Sequence, residues 1–388
     1  MSLLAPPLSL YVHMPWCVKK CPYCDFNSHG LRSEPPPYAE YTGLLLADLD
    51  ADLRDFGAAL AERPIVSVFF GGGTPSLFAP ELIARFLDGA RERLPFAADA
   101  EITLETNPGT VEHGRFDGYL AAGVNRISFG VQSFDNDKLR RLGRIHSAAE
   151  AEAAMKSAQD AGYTNFNLDL MYALPQQTLD GALADVERAI ALAPTHISHY
   201  QLTLEPNTAF AANPPPLPDD DHAWAMQEAC EQRLAAAGYG QYEISAYAQP
   251  GRRCIHNLNY WQFGDYLGIG AGAHGKLSDP GNRQVHRRWK TRHPRAYMEA
   301  AGGSARIGGD SAVSATELPF EYMLNALRLI DGVPMADFSE RTGLPRERIA
   351  AALVAARQRG WLDDDPQRLR TTVLGQRFLN DVIASFLD

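Results

Sequence analysis

Short apolar runs alternate with longer amphipathic stretches through the first two-thirds of the sequence, and that alternation restricts the fold more than any other feature. The strand-like runs are Leu8–His13, Ile65–Phe70, Ala100–Thr106, Val124–Gly130, Thr164–Tyr172 and His196–Leu204. Between them lie the helical patterns Tyr38–Ala61, Pro80–Leu94, Val111–Ala121, Ala148–Ala161 and Leu179–Leu192. Strand, helix and strand at this spacing read as repeated βαβ units around a parallel sheet. Gly123 and Gly162 fall just past helix ends, where a left-handed cap favours glycine. Six such strands predict an α/β fold, an open or partial (β/α)6 barrel rather than a closed eight-stranded one. Ligands would then collect at the C-terminal ends of the strands.

The stretch Asn207–Asp221 is rich in Pro and Asp, a linker or surface-loop signal. A helix over Asp219–Ala237 and a strand over Tyr242–Ala246 follow, then a segment rich in Gly, His and aromatics from Cys254 to Trp289. From about Pro294 the pattern is helical, with helices over Thr316–Ile330, Met335–Thr342 and Arg346–Arg359. A small hairpin in residues 360–372 and a closing helix over Leu374–Phe386 complete a mainly helical, winged-helix-like tail. The expected division is a barrel over 1–215, an extension over 216–293 and a helical C-terminal domain over 294–388.

With 36 Lys and Arg against 47 Asp and Glu, the net charge is −11. Such a chain is a poor general binder of nucleic acid or anionic membrane. The helix Arg346–Arg359 carries Arg346, Arg348, Arg357 and Arg359, which admits a DNA-binding regulator as one reading. Against it, Asp363, Asp364 and Asp365 stand where a basic wing is wanted. No apolar run reaches about 18 residues, so no membrane insertion is expected. The first residues lack the basic region of a signal peptide, and the expected location is cytoplasmic.

Five cysteines fit a disulfide framework badly in a reducing compartment. Three of them crowd into Cys17-Val-Lys-Lys-Cys21-Pro-Tyr-Cys24, directly after the first strand. Three thiolates on one loop can ligate three irons of a 4Fe–4S cluster and leave the fourth open to a substrate or cofactor. A structural zinc site is the alternative, but closed zinc sites need four ligands, usually in separated pairs. Gly71-Gly72-Gly73-Thr74-Pro75 follows the second strand, where glycines admit close approach of a ligand to the backbone; a tight turn would use the same residues. Glu105, Gln132 and Asp169 sit at the ends of successive strands, facing the ligand side of a barrel, though each could be a satisfied structural group.

The cysteine loop resembles that of the radical S-adenosylmethionine (SAM) superfamily. Tyr11-Val-His-Met-Pro-Trp-Cys17 through His29 is similar to the group that holds the oxygen-independent coproporphyrinogen oxidases and the HemW-type haem chaperones. The resemblance spans nearly the whole chain and implies a radical-SAM-type partial barrel. It implies that Cys17, Cys21 and Cys24 bind the cluster and that SAM chelates its open iron. It further implies a SAM site of Gly72, Gly73, Thr74, Glu105, Gln132, Arg144 and Asp169, with Tyr23 near the adenine and Tyr11 beside the cluster. His13 reads as either a core histidine or a cluster neighbour.

His256-Asn-Leu-Asn-Tyr260-Trp261 resembles a string associated with haem in the HemW-type proteins, which makes His256 the candidate haem ligand. A neutral imidazole is a common axial ligand and aromatics pack on a porphyrin face. Alternatively His256 bonds Asn259 or a backbone carbonyl in a packed loop; His274, in a Gly-rich turn, is a further site-lining candidate. Two departures separate this chain from the oxidases of the group. Phe26 stands where they carry a further cysteine, and the cluster motif begins by residue 11, without their N-terminal extension. Both favour a haem chaperone that binds cluster, SAM and haem and passes haem to client respiratory haemoproteins, as a monomer or a haem-dependent dimer. Radical decarboxylation of coproporphyrinogen III is the alternative.

Overall fold

The computed structural model describes residues 2–31, 34–60, 62–109, 115–300 and 302–387. Six parallel strands follow one another in chain order: β1 (Leu8–Met14), β2 (Ile65–Gly72), β3 (Phe96–Thr106), β4 (Arg126–Gln132), β5 (Phe166–Tyr172) and β6 (His196–Gln201). They are joined by helices Tyr38–Leu60, Pro80–Arg91, Phe116–Ala121, Ala148–Asp160 and Leu179–Ala191. Local chemistry explains the helix starts. Ser147 and Glu150 form a reciprocal capping box, and Pro80 occupies a first turn that needs no N–H from it. Gly123 and Gly162 adopt φ of 99° and 103° past helix ends, as the sequence implied. The expected helix over Val111–Ala121 begins in residues 110–114, outside the described residues, and its remainder is helical.

The large sheet extends beyond the six strands on both edges, in the order β12-β11-β10-β9-β1-β2-β3-β4-β5-β6-β8-β7. On one edge β7 (Gly240–Glu243) and β8 (Ala246–Ala248) form an antiparallel pair, where the sequence suggested a single strand over Tyr242–Ala246. On the other, β9 (Asp265–Ile269) runs parallel to β1, and β10 (His274–Asp279), β11 (Gln284–Lys290) and β12 (Ile307–Ala312) follow antiparallel. The strand β12 is an addition to the mainly helical pattern expected beyond Pro294, in a stretch where no strand was expected. The edges β12 and β7 are not paired to each other, so the barrel is partial.

The antiparallel extension is held to the barrel by charge. Asp48 and Asp52, on the helix Tyr38–Leu60, accept from Lys290 and Arg306, with all four side chains buried. Asp48 also accepts from Tyr297 Oη at 2.7 Å and from the Gly270 amide at 3.2 Å.

The tail comprises helices Leu318–Ala326, Met335–Thr342 and Ala350–Gln358, the last preceded by a tighter turn over Arg346–Ile349. The expected closing helix is broken at Phe378 into Val373–Arg377 and Leu379–Ala384. Arg368–Leu369 pairs with Val333–Pro334, and Leu362 bridges Thr371, so the hairpin region is tied back to the helices. Tyr322, Phe338 and Val382 share one buried cluster with Leu3, Phe263 and Val285. Among the described residues no helix is long and apolar enough to cross a membrane.

Candidate functional site

Trp16–Cys17 pairs with His29–Gly30, so the cysteine loop leaves β1 and returns to the same place. Cys17, Cys21 and Cys24 are free, partly exposed thiols that line one cavity of about 120 Å³ at the mouth of the barrel. Arg144 Nη1 lies 3.6 Å from Cys21 Sγ, and Ser28 Oγ lies 3.5 Å from Cys24 Sγ. Burial pushes the Cys17 thiol up, and hydrogen bonding from Thr74 works against that rise. A cation and hydroxyls beside the sulfurs favour thiolates. Cys230 and Cys254 are buried elsewhere, Cys254 donating to Glu101 at 3.3 Å. Among the described residues no three His, Cys, Asp or Glu side chains gather round a single ion. Three thiols spread along a loop suit a cluster, in which each sulfur binds a different iron.

The glycine turn supports this loop from below. The Gly73 and Thr74 amides donate to Met14 O and Trp16 O at 2.7 and 2.8 Å, and the Gly72 amide donates to Glu105 at 3.2 Å. A Cβ on Gly73 would lie 2.5 Å from Trp16 O, and one on Gly72, whose φ is 106°, 2.3 Å from the His13 ring. All three amides are therefore spent on the protein, and the Thr74 hydroxyl is engaged as well. That hydroxyl accepts from Asn107 at 2.7 Å, and Asn107 in turn accepts from Arg144.

Glu105, Gln132, Arg144 and Asp169 line the same cavity as the thiols, with Tyr23, Ser128 and Tyr200. Asp169 sits mid-strand in β5 rather than at its end, whereas Glu105 and Gln132 fall within the last two residues of β3 and β4. Burial, reinforced by Asp169, pushes the Glu105 carboxyl up to about 8, although the Gly72 amide stabilises its charge. Burial raises Asp169 as well, against a 2.8 Å hydrogen bond from Asn167. Two part-buried carboxyls so placed can accept from an ammonium or from hydroxyls, and a protonated one also donates through its O–H. The Arg144 Nε is buried without a hydrogen-bond partner among the described residues. Gln132 holds a left-handed φ of 71° and accepts from Tyr200 Oη at 2.7 Å, a local strain that aims its amide. Tyr23 is packed on Phe210. This donor set fits SAM, with acceptors for its amino and ribose groups and Arg144 for a carboxylate.

Tyr11 does not join this cavity. It lines a second one, of about 480 Å³, with Phe26, Phe69, His256, Tyr260, Trp261 and His274. The two cavities share the cluster loop: its thiols face the first, Asp25 and Asn27 line the second, and Phe26 lines both. His13 resolves as a structural bridge between them, bonding Tyr11 Oη through Nδ1 and Asn27 O through Nε2, both at 2.9 Å. Burial lowers it to about 4.

His256 lies in the helix Ile255–Trp261. Its Nδ1 is bonded to Ser67 Oγ at 3.0 Å, neither to Asn259 nor to a carbonyl. Asn259 instead donates to Ser9 Oγ and Asp265 O, both at 2.9 Å. Burial, with the Arg126 guanidinium adding to it, lowers His256 to about 3. The imidazole is therefore neutral at pH 7, the state a metal requires. Glu101, from β3, sets its position by accepting from the Ile255 and His256 amides at 3.1 and 3.2 Å. His274 is exposed at the rim and stacks on Trp289.

A family model described as the radical SAM superfamily matches residues 11–189, and one described as the HemN C-terminal domain matches residues 313–378. Heme chaperone HemW of Escherichia coli (strain K12) is 52% identical, covering 98% of each chain. The chain belongs to the HemW family of radical SAM proteins. Heme chaperone HemW of Haemophilus influenzae is 50% identical, again over 98% of each chain, and that of Mycobacterium tuberculosis (strain H37Rv) is 36% identical over 98% and 95%. Among solved structures, coproporphyrinogen III oxidase (HemN) of Escherichia coli superimposes with a TM-score of 0.81 at 23% identity, covering 99% of this chain and 90% of that one. That likeness establishes the fold, a partial α/β barrel with a helical tail, for this HemW-family chain.

Sequence reasoning missed Asn107, Tyr200, Asn27 and Glu101. Asn107 was legible, two residues past Glu105 in Leu-Glu-Thr-Asn-Pro-Gly. Glu101 was not, because its partners lie more than 150 residues downstream.

Proposed function

We propose that this chain is a haem chaperone that carries a 4Fe–4S cluster and SAM at the barrel mouth and haem in the adjoining aromatic cavity, for delivery to respiratory haemoproteins from the cytosol. The observation that carries the reading is the shared loop. One short segment presents three thiols to a cavity lined by paired carboxyls, and an exposed phenylalanine, Phe26, to a cavity lined by rings and a neutral histidine. An apolar cavity of about 480 Å³ is within the usual range for a small-molecule site. Cys17, Cys21 and Cys24 would hold the cluster, and Gly72, Gly73, Thr74, Tyr23, Glu105, Gln132, Arg144 and Asp169 would surround SAM. When bound, that pair supplies one-electron chemistry at the open iron. The chain's own residues orient it: Arg144 spans Cys21 and Asn107, and Tyr200 holds the Gln132 amide.

The oxidase reading needs a thiol where Phe26 stands. The DNA-binding reading needs free arginines. Arg346 and Arg357 donate to carbonyls of the hairpin region, and Arg359 lies over Trp361. The deciding experiment is anaerobic reconstitution of the full chain, then a haem titration and a coproporphyrinogen III assay with SAM and reductant. The expected result is one tight haem, a Soret band that moves in His256→Ala, and no decarboxylation. Turnover of the porphyrinogen at an enzymatic rate would overturn the proposal.

A further inference from the structure

The aromatic cavity is almost free of charge. Of its lining residues only Arg292 is a cation and only Asp25 an acid. His13 and His256 are held neutral by burial, and burial also lowers His274, with Arg287 and Arg292 adding to the effect. A ligand bearing carboxylates would therefore find one permanent positive charge there.

Arg292 differs from the arginines and lysines around it. Arg287 is committed to Glu321 and to Tyr266 Oη, and Lys290 is buried on Asp48 and Asp52. Arg288 is spread over Asp52, Asp55 and Asp310. The Arg292 guanidinium has no ion pair or hydrogen bond among the described residues, and the side chain is exposed at the cavity. Its backbone, in contrast, is fixed. Asn27 Nδ2, from the cluster loop, donates to Arg292 O at 2.8 Å and to Ala271 O at 2.9 Å. The neighbouring Gly272 has a φ of 76°, and a Cβ there would strike Asn27 at 2.3 Å. An uncommitted guanidinium on an anchored backbone is a good carboxylate clamp, because its fork donates to both oxygens in one plane.

We propose that Arg292 is the carboxylate anchor of this cavity, so that the site selects tetrapyrroles with free propionates over their esters. The inference rests on the reading of the cavity as the haem site. Asp25, the one acid of the lining, repels carboxylates and so favours Arg292 for the acidic edge of the ligand.

The test is a matched titration of the cluster-reconstituted full chain with haem and with haem dimethyl ester, followed by the Soret band. Arg292→Gln should weaken haem about tenfold, the scale of one charge-assisted hydrogen bond, and leave the ester unchanged. Arg292→Lys should restore part of the loss, and Asp25→Asn should tighten haem but not its ester. The Soret position should stay constant in all three, since axial ligation is untouched. Equal losses for haem and ester, or no loss for either, would overturn the anchor. If His256→Ala moves neither the Soret band nor the affinity, the cavity reading itself falls. Retained His256 dependence with an indifferent Arg292 refutes the anchor alone.

Discussion

Glu105 is held protonated by its surroundings, and that has a thermodynamic consequence. Its carboxyl is pushed up to about 8 by burial and by Asp169, so between its ordinary value and about 8 the folded chain binds a proton that the unfolded chain has released. Stability is therefore fully present at low pH and is lost as pH rises towards about 8. The melting temperature of the ligand-free protein should fall between about pH 5 and about pH 8, and Glu105→Gln should flatten that fall. Scanning calorimetry at a series of pH values checks this; an identical slope in variant and parent would place the titration elsewhere. Gly73 gives a second residue-scale prediction. Alanine there would meet the Trp16 carbonyl at 2.5 Å, whereas Gly57, in the helix Tyr38–Leu60, has nothing within 4 Å of an added Cβ. Gly73→Ala should cost about 1–3 kcal/mol and lower the iron bound per chain. Gly57→Ala should stabilise by about 0.5–1 kcal/mol. Urea unfolding and iron analysis of the two variants would show whether their effects have opposite signs.

At the scale of elements, the helix Ile255–Trp261 starts on a carboxylate borrowed from β3. Glu101 accepts from Cys254, Ile255 and His256 and lies 3.9 Å from the buried Arg126. Glu101→Ala would orphan two amides and leave a buried guanidinium uncompensated, at about 3–5 kcal/mol. The expected signature is an altered Soret band with iron content unchanged, read from the haem complex and metal analysis of one preparation. The six βα units were legible because each buries a continuous apolar run, which periodicity reports. The strands β9 to β12 were not. Lys276, Arg287, Arg288 and Lys290 interrupt their apolar pattern, and these are neutralised by Asp265, Glu321, Asp52 and Asp48, partners that periodicity does not see. The site divides likewise. Cys17, Cys21, Cys24, Glu105, Gln132 and Arg144 are brought to one cavity from short motifs, whereas Tyr11, expected beside the cluster, lines the neighbouring aromatic cavity.

Across the whole molecule, two devices join the barrel to its additions. The first is the buried cluster of Asp48 and Asp52 with Lys290 and Arg306. Asp48→Asn removes one charge from a dry network and should cost about 3–5 kcal/mol, measured as a shift in the urea midpoint. The second is the tail, whose core includes Phe263 and is packed against by Leu258 and Trp261, while Arg328 lies 4.4 Å above the Trp261 ring. The aromatic cavity thus leans on the C-terminal helices through Trp261. Asp25, Phe26 and Asn27 continue directly from Cys24, and Asn27 ties that loop to Ala271 O and Arg292 O, so one short segment is a party wall between the two rooms and a change on either side of it is felt on the other.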